Sequence, residues 1–431
     1  MNRRDFLTTT LAAAIPATIR GADRPLTSPP KRPRPAKRKL ALVTTTYFYL
    51  SHAYHIAGRF LNGYLRDDGY HFPDSEIASM YVEQVGAKDL SRGIAKKHDI
   101  PHVASVADAL TLGTGKLAVD GVLLIGEHGD YPYNAKGQKL YPRYELFQKV
   151  SDVFKDSGRS VAVFNDKHLS YDRKHGFDMV AAAKKIGFPF MAGSSLPVTW
   201  RRPEMELPLG VKLKEAMVVS RGELEIYGIH GLEALQCMVE RRTKGQQGVA
   251  AVEYVEGDAV WKAGDAGRWS WELLEHALGR SQSRNVGDPR ENCTHFQPPT
   301  TWGRSAPSPR AFLIEYRDGL KASVLQLDGH ASDDTFTASV EGEKKPASTL
   351  FWLPPPPGAA FLEALSIHVE RFMDTGLAPY PVERTLLTGG ILDWVLESRV
   401  QKKRLETADL DINYDPPKDS GFMRGTYVRP G

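Results

Sequence analysis

The sequence predicts an α/β protein: an N-terminal doubly wound domain, then an α+β domain with a mostly antiparallel sheet. Three observations carry this. The 431 residues exceed what one ordinary core holds, so two domains are expected. Between residues 39 and 193 strand-like and helix-like segments alternate, as βαβ units around a buried parallel sheet require. Past Trp200 strand-like runs succeed one another with little helix between them. Hydrophobic residues at 41% and charged residues at 25% are ordinary for a globular chain.

The first run, Lys39–Thr45, is short and apolar, and Ala53–Leu65 follows with Ile56, Phe60 and Tyr64 at helical spacing. Ile77–Val82 reads as a strand, Asp89–His98 as a helix and Val119–Ile125 as a nearly continuous apolar strand. Tyr144–Phe154 is helical, Ser160–Phe164 a strand, Tyr171–Ile186 a helix and Phe190–Gly193 a strand. That count suits a Rossmann-like domain over 39–193. Over 194–405, strands are expected at Ala216–Ser220, Val249–Val255, Phe312–Tyr316, Ala322–Leu327 and Thr335–Val340, with Asp318-Gly319 as a hairpin turn. One long helix is expected at Gly231–Arg242. Phe361–Asp374 and Arg384–Arg399 are amphipathic helices expected to pack back near the first domain, and 406–431 is a tail. Gly264–Arg310, rich in Trp, Pro and Gly, and the stiff loop Pro354–Pro357 fit neither pattern.

Charge is unevenly placed. The formal net charge is +4, yet residues 1–39 alone carry +8, so the remainder is acidic at −4. A mildly acidic body gives no basis for nucleic-acid binding. The basic surplus sits in a leader over 1–22 and a Pro-rich linker over 23–38, which prolines and like charges keep extended. Arg3-Arg4-Asp5-Phe6-Leu7 matches the twin-arginine export pattern, followed by a short apolar stretch interrupted at Pro16. A periplasmic or secreted location is therefore expected, with no stable membrane anchor, since no later stretch is apolar for about 18 residues. Cys237 and Cys293 could pair in an oxidising compartment, although Cys237 lies in a helical pattern where a small core residue is the commoner use.

Several segments carry a family likeness. Val119–Ile125 resembles a strand leading into a nicotinamide pocket, and Asn165-Asp-Lys-His-Leu169 is similar to a Glu-Lys-Pro segment. Ile226-Tyr-Gly-Ile-His230 is similar to an Asp-x-Gly-x-His motif, and Glu363–Arg399 resembles a pair of closing helices. In this order, over nearly all of 39–405, they resemble the Gfo/Idh/MocA family of two-domain sugar dehydrogenases. The resemblance implies a sugar or cyclitol substrate, a bound NAD(P), and Lys167 and His230 as the catalytic acid/base pair. It places Thr44, Thr46, Glu83, Glu127 and His128 around the cofactor, and Asp130, Tyr131, Trp200 and Arg201 near the substrate.

The departures matter equally. A dinucleotide needs small residues after the first strand, so that pyrophosphate reaches backbone N–H groups. This chain has Thr44-Thr-Thr-Tyr-Phe-Tyr49, with three aromatic rings where phosphate would lie. Only the hydroxyls of Thr44 and Thr46 remain as substitutes. Glu83 reads equally as a ribose-binding acid or as a solvated strand-end carboxylate. Glu127 and Tyr131 replace a proline and a histidine of the family pattern, His168 replaces the proline of Glu-Lys-Pro, and Ile226 replaces an aspartate. Polar gains of this kind cost free energy if buried unpartnered, which points to replacement chemistry. One replacement is a divalent metal held by members of Glu127, His128, Asp130, Asp166, His168, His230 and Glu233, the last two one helical turn apart. The plain alternative makes His128 and His168 hydrogen-bonded loop residues. Trp261, Trp269, Trp271 and Trp302 form either a lid whose indoles stack on sugar or a small satellite core. Asp328-Gly-His330 and Asp333-Asp334 are further polar groups available to the cleft. Three functions follow: a nicotinamide-dependent oxidoreductase; a nicotinamide-independent lyase, hydrolase or epimerase; and a non-catalytic carbohydrate-binding protein. The oligomeric state stays open, a homo-oligomer included.

Overall fold

Strand β1 (Arg38–Thr44) shows why the first sheet is buried on both faces: Leu40, Ala41, Leu42 and Val43 are all inaccessible. With a period of two, Leu40 and Leu42 enter one core while Ala41 and Val43 enter the other. The computed structural model describes residues 32, 35–36, 38–66, 69–297 and 308–425. The twin-arginine leader with Arg3 and Arg4, most of the linker, Trp302 and the last six residues lie outside them.

After β1, helix α1 (His52–Asn62) starts at Ser51, whose hydroxyl accepts from the Tyr54 N–H. It stops at Gly63 (φ 72°), short of the expected Leu65, where a Cβ would collide with the His71 carbonyl. A small hairpin, β2 (Tyr64–Arg66) and β3 (Gly69–His71), follows. Then come β4 (Ser75–Val82), α2 (Ser91–His98), β5 (His102–Val103), α3 (Val106–Thr111), β6 (Gly121–Ile125), α4 (Arg143–Ser157), β7 (Ala162–Asp166), α5 (Arg173–Ile186) and β8 (Phe190–Gly193). The sheet order is β5-β4-β1-β6-β7-β8 and every pairing is parallel. The order reverses at β1, which makes the carboxyl ends of β1, β4 and β6 the ligand crevice of such a sheet.

The second domain builds an eight-stranded sheet from β9 (Trp200–Arg202), β10 (Leu213–Ser220), β11 (Val249–Glu256), β12 (Arg310–Tyr316), β13 (Lys321–Gln326), β14 (Asp334–Val340), β15 (Ala347–Trp352) and β16 (Leu405–Glu406). Its order is β16-β11-β12-β13-β10-β14-β15-β9, antiparallel except for β10 with β13. Its long helix α6 (Leu224–Val239) begins earlier than the expected Gly231, and only a 3₁₀ turn continues it to Arg242. Gly228 and Gly231 serve close packing: side chains there would meet Phe312, Leu392 and Val324. Helix α7 (Asp258–Asp265) leads into the unassigned stretch, which holds α8 (Trp271–Leu278) and α9 (Pro289–His295). Trp261, Trp269 and Trp271 contact one another there in a satellite core with Leu273, Leu313 and Leu325, so these three indoles are structural.

Helix α10 (Phe361–Thr375) returns to the first sheet, laying Leu362, Leu365, Phe372 and Met373 against Leu40, Leu42 and Phe164. Helix α11 (Val382–Gln401) touches α5, β8, α6 and β11, and so joins both domains. Within the described part of the tail, Tyr414 donates to Glu240, and the Met423 N–H to the Val198 carbonyl. Cys237 and Cys293 are both free and buried in separate cores, so the possible disulfide is not formed. No helix among the described residues is long and apolar enough to cross a membrane.

Candidate active site

Lys167 follows β7 with left-handed backbone (φ 60°), and its N–H bonds to the Gly193 carbonyl at 3.2 Å. Gly193 (φ 139°) lies against Tyr380, whose hydroxyl leaves no room for a Cβ. The Lys167 Nζ donates to Glu127 Oε1 at 2.9 Å, and the other Glu127 oxygen takes Arg143, the first residue of α4. All three side chains are almost wholly buried. Burial pushes the Glu127 carboxyl up, but Lys167 and Arg143 outweigh it and hold it well below the usual carboxylate range. Burial likewise lowers the Lys167 ammonium, and Glu127 more than reverses it. Lys167 is therefore a fixed positive charge, better suited to hold a substrate oxygen than to accept a proton.

His230 lies in the second turn of α6 and does not open it as expected. Its Nδ1 is 3.1 Å from Ser194 Oγ and 3.3 Å from Glu233 Oε2. Glu233 also accepts from the Ser194 N–H at 2.8 Å and from its hydroxyl. Because a carboxylate only accepts and the serine proton is already given to it, Nδ1 is assigned as the protonated nitrogen, leaving Nε2 as a base. Lys167 and His230 are joined through one peptide: Lys167 bonds Gly193, and the next residue, Ser194, bonds His230.

Polar neighbours surround this pair. His168 sits 3.4 Å from Glu225 and 3.5 Å from Arg143, and burial with Arg143 lowers its pKa, so it is neutral. His168 Nδ1 and Asp166 Oδ1 are buried without a hydrogen-bond partner among the described residues. Asp166 Oδ2 meets His52 Nδ1 at 2.6 Å. Glu223, just before α6, is pushed up to about 7 by burial and then by Glu225, against Lys139 and Lys167. Arg143, His52, Ser194, Glu223 and Glu225 were not singled out from sequence, and only the family motifs around them offered a signal.

The expected cofactor residues are occupied differently. The Thr44 hydroxyl donates to the Ile125 carbonyl at 2.9 Å, and that of Thr46 approaches the Glu127 carbonyl at 3.5 Å. Glu83 accepts from the Tyr131 hydroxyl. Beside it Gln84 clasps Asp130, its Nε2 donating to the carbonyl at 3.1 Å and its Oε1 accepting from the N–H at 2.8 Å. This clasp spans the carboxyl ends of β4 and β6, with β1 between them. Tyr47 is buried, and His128 (φ 68°) is wedged against Phe48 and His52 with its pKa lowered to about 4 by burial. These hydrogen bonds tie the polypeptide across the carboxyl end of β1, in place of the small residues a dinucleotide fingerprint would put there. A cavity of about 260 Å³ persists beside Thr46, Gln84 and Gly129.

The metal and substrate candidates are placed as follows. Among the described residues no three His, Cys, Asp or Glu side chains gather to hold a metal ion. Glu127, Asp166, His168, His230 and Glu233 each turn to the partners named above, Asp130 is exposed, and His128 faces aromatic rings. The substrate positions Trp200 and Arg201 lie inside β9 and are 5% and 1% exposed. Trp200 packs edge-on to Trp352, while Arg201 bonds the Met205 carbonyl and lies over the Phe422 ring.

No family model and no curated protein sequence matches this chain. Solved structures do. GenD2 from gentamicin A biosynthesis, in complex with NAD, is 12% identical, covering 88% of this chain and 99% of its own at a TM-score of 0.53. A probable dehydrogenase from Thermotoga maritima is 11% identical over 86% and 99%, with a TM-score of 0.52. The Lactobacillus casei myo-inositol dehydrogenase, in complex with NAD(H) and myo-inositol, is 10% identical over 86% and 96%, with a TM-score of 0.51. At such identities the likeness is one of fold: this chain has the two-domain architecture of these oxidoreductases.

Proposed function

We propose that this chain is a divergent Gfo/Idh/MocA-type enzyme that moves a proton on a sugar or cyclitol, with His230 as base and Lys167 as the charge that holds the substrate oxygen. The observation that carries it is the Ser194 link between two prepared groups: an imidazole oriented by Glu233 and an ammonium kept charged by Glu127. A histidine with one nitrogen fixed on a carboxylate presents the other as a base. The polyol substrate class follows the myo-inositol of the L. casei neighbour. Epimerisation or β-elimination of a keto sugar needs only such groups. His230 Nε2 takes the proton from the carbon beside the carbonyl, and Lys167 steadies the negative charge on its oxygen. In an elimination the neighbouring C–O bond then breaks, and Glu223, protonated below about pH 7, supplies the proton to the departing oxygen.

The Gln84–Asp130 clasp and the aromatic residues after β1 favour chemistry without nicotinamide. Incubating the purified protein with keto sugars in D₂O, with no nucleotide added, is expected to exchange the carbon-bound proton. Release of NAD(P) on denaturation, or turnover only when NAD(P) is supplied, would overturn this. A nicotinamide-dependent oxidoreductase is the second reading, favoured by the cavity beside Thr46 and by the NAD complexes among the neighbours. It requires the Gln84–Asp130 clasp to open. On that reading, Gln84→Ala with Tyr131→Phe raises NAD affinity in a fluorescence titration.

A further inference from the structure

A second cavity, of about 550 Å³, opens in the α+β domain beyond the acid/base pair, walled in part by Arg221, Tyr227, Arg284 and His330. Arg221 follows β10, and its guanidinium lies 5.5 Å from the Tyr227 ring with a buried Nε that has no hydrogen-bond partner among the described residues. Neither it nor Arg284 forms an ion pair among the described residues. The acid in the wall, Asp328, is already neutralised by Arg310 and accepts from the Gly222 N–H at 2.7 Å. The wall is left with two unmatched guanidinium groups.

The loop bearing Arg284 is fixed on both sides. Asp333 Oδ2 accepts from Ser281 Oγ, the Gln282 N–H and both the N–H and Oγ of Ser283, all within 2.8 Å. On the other side the Asn285 N–H donates to the His330 carbonyl at 2.7 Å, and its side-chain amide to Gly329. An exposed arginine with no carboxylate partner gains nothing from so rigid a mount unless something else is to be met there. Planar forks of this kind match the paired oxygens of a carboxylate or phosphate.

Tyr227 connects the cavity to the reaction site. It stands on α6 just before His230, and the two rings are 6.0 Å apart between centroids. We infer that this cavity binds the oxyanion of an acidic carbohydrate, a uronic acid or a sugar phosphate, whose remaining ring reaches His230. The inference rests on the acid/base reading above and adds the substrate class.

Calorimetric titration of the full chain at fixed ionic strength tests it, with inorganic phosphate, D-glucuronate and neutral D-glucose as probes. Saturable binding of phosphate or glucuronate is expected, weakened about tenfold or more by Arg221→Met and by Arg284→Met, as loss of a charged hydrogen-bond pair implies. Arg221→Lys and Arg284→Lys keep the charge without the fork and should fall between. Which anion binds more tightly separates phosphate from carboxylate recognition. Absence of saturable anion binding, or affinities unchanged in both methionine variants, would overturn the inference. Lys167→Met should leave anion binding intact. If it also leaves turnover intact, the acid/base reading fails while the anion site stands.

Discussion

Replacing Glu127 with glutamine keeps the side chain's shape and removes the one negative charge between Lys167 and Arg143. Both cations are buried, with side chains 4% and 1% exposed, so water cannot compensate. Taking one partner from a buried ion pair costs about 3–5 kcal/mol. Lys167→Met is gentler, because Glu127 keeps Arg143, and the lost charged hydrogen bond accounts for about 1.5–3 kcal/mol. In a domain of this size one kcal/mol moves the melting temperature by about 2–4 °C, so Glu127→Gln should lower it by roughly 6–20 °C. Glu127 is held below the usual carboxylate range, so its contribution is present above that range and lost as pH falls through its folded pKa. The gap between variant and wild type should thus be full at neutral pH and close only in acid. Thermal unfolding followed by circular dichroism, at pH 7 and in acid, measures it. A Glu127→Gln protein as stable as wild type, or one damaged less than Lys167→Met, would refute this account of the triad.

Three other outcomes are expected. His230→Ala and Lys167→Met should each reduce turnover by about a hundredfold or more, and the double variant by much less than the product, since both act on one step; independent losses in a steady-state assay would separate them. Glu223 titrates near 7, so activity that uses its proton should fall above that pH, and Glu223→Gln should lose this limb of the pH–rate profile. Its protonated form stabilises the fold below the ordinary carboxylate pKa and that support is lost as pH rises through about 7, so Glu223→Gln should gain on wild type in alkaline unfolding. We also propose export by the twin-arginine route: Arg3→Lys with Arg4→Lys should retain the protein in the cytoplasm on cell fractionation, and undiminished export would exclude it.

The parallel sheet was legible because β1, β6 and β7 are short apolar runs between helical segments, a pattern that burial on both faces enforces. Lys167 and His230 were legible through ordered motifs at strand and helix ends. Glu233 was legible as a neighbour of His230 from its one-turn spacing, whereas the contacts of Glu127 with Lys167 and of Ser194 with His230 form only when β6, β7, β8 and α6 converge, and no local spacing encodes them. Helix α6 begins before the expected Gly231 because Gly228 and Gly231, weak helix formers, sit where Phe312 and Val324 pack closely against it. Trp200 and Arg201 turn into the protein. Side chains suited to bind sugar are equally suited to fill an edge of a core, and β9 buries them.

The cover that α10 and α11 give the first sheet bears on how the chain is made. Gly193 completes that sheet and Phe361 begins the helix that shields one of its faces. At about 5–20 residues per second, the intervening synthesis leaves Leu40, Leu42, Phe164 and Met191 without that shield for roughly 10 to 30 seconds. During this interval the N-terminal domain exists as a nearly finished sheet whose one side is covered only by α1, and the apolar surface left for α10 favours association with other nascent chains. A ribosome stalled between β8 and α10 would therefore hold a sticky fragment, and a chaperone that recognises flat apolar surfaces has a defined window in which to act.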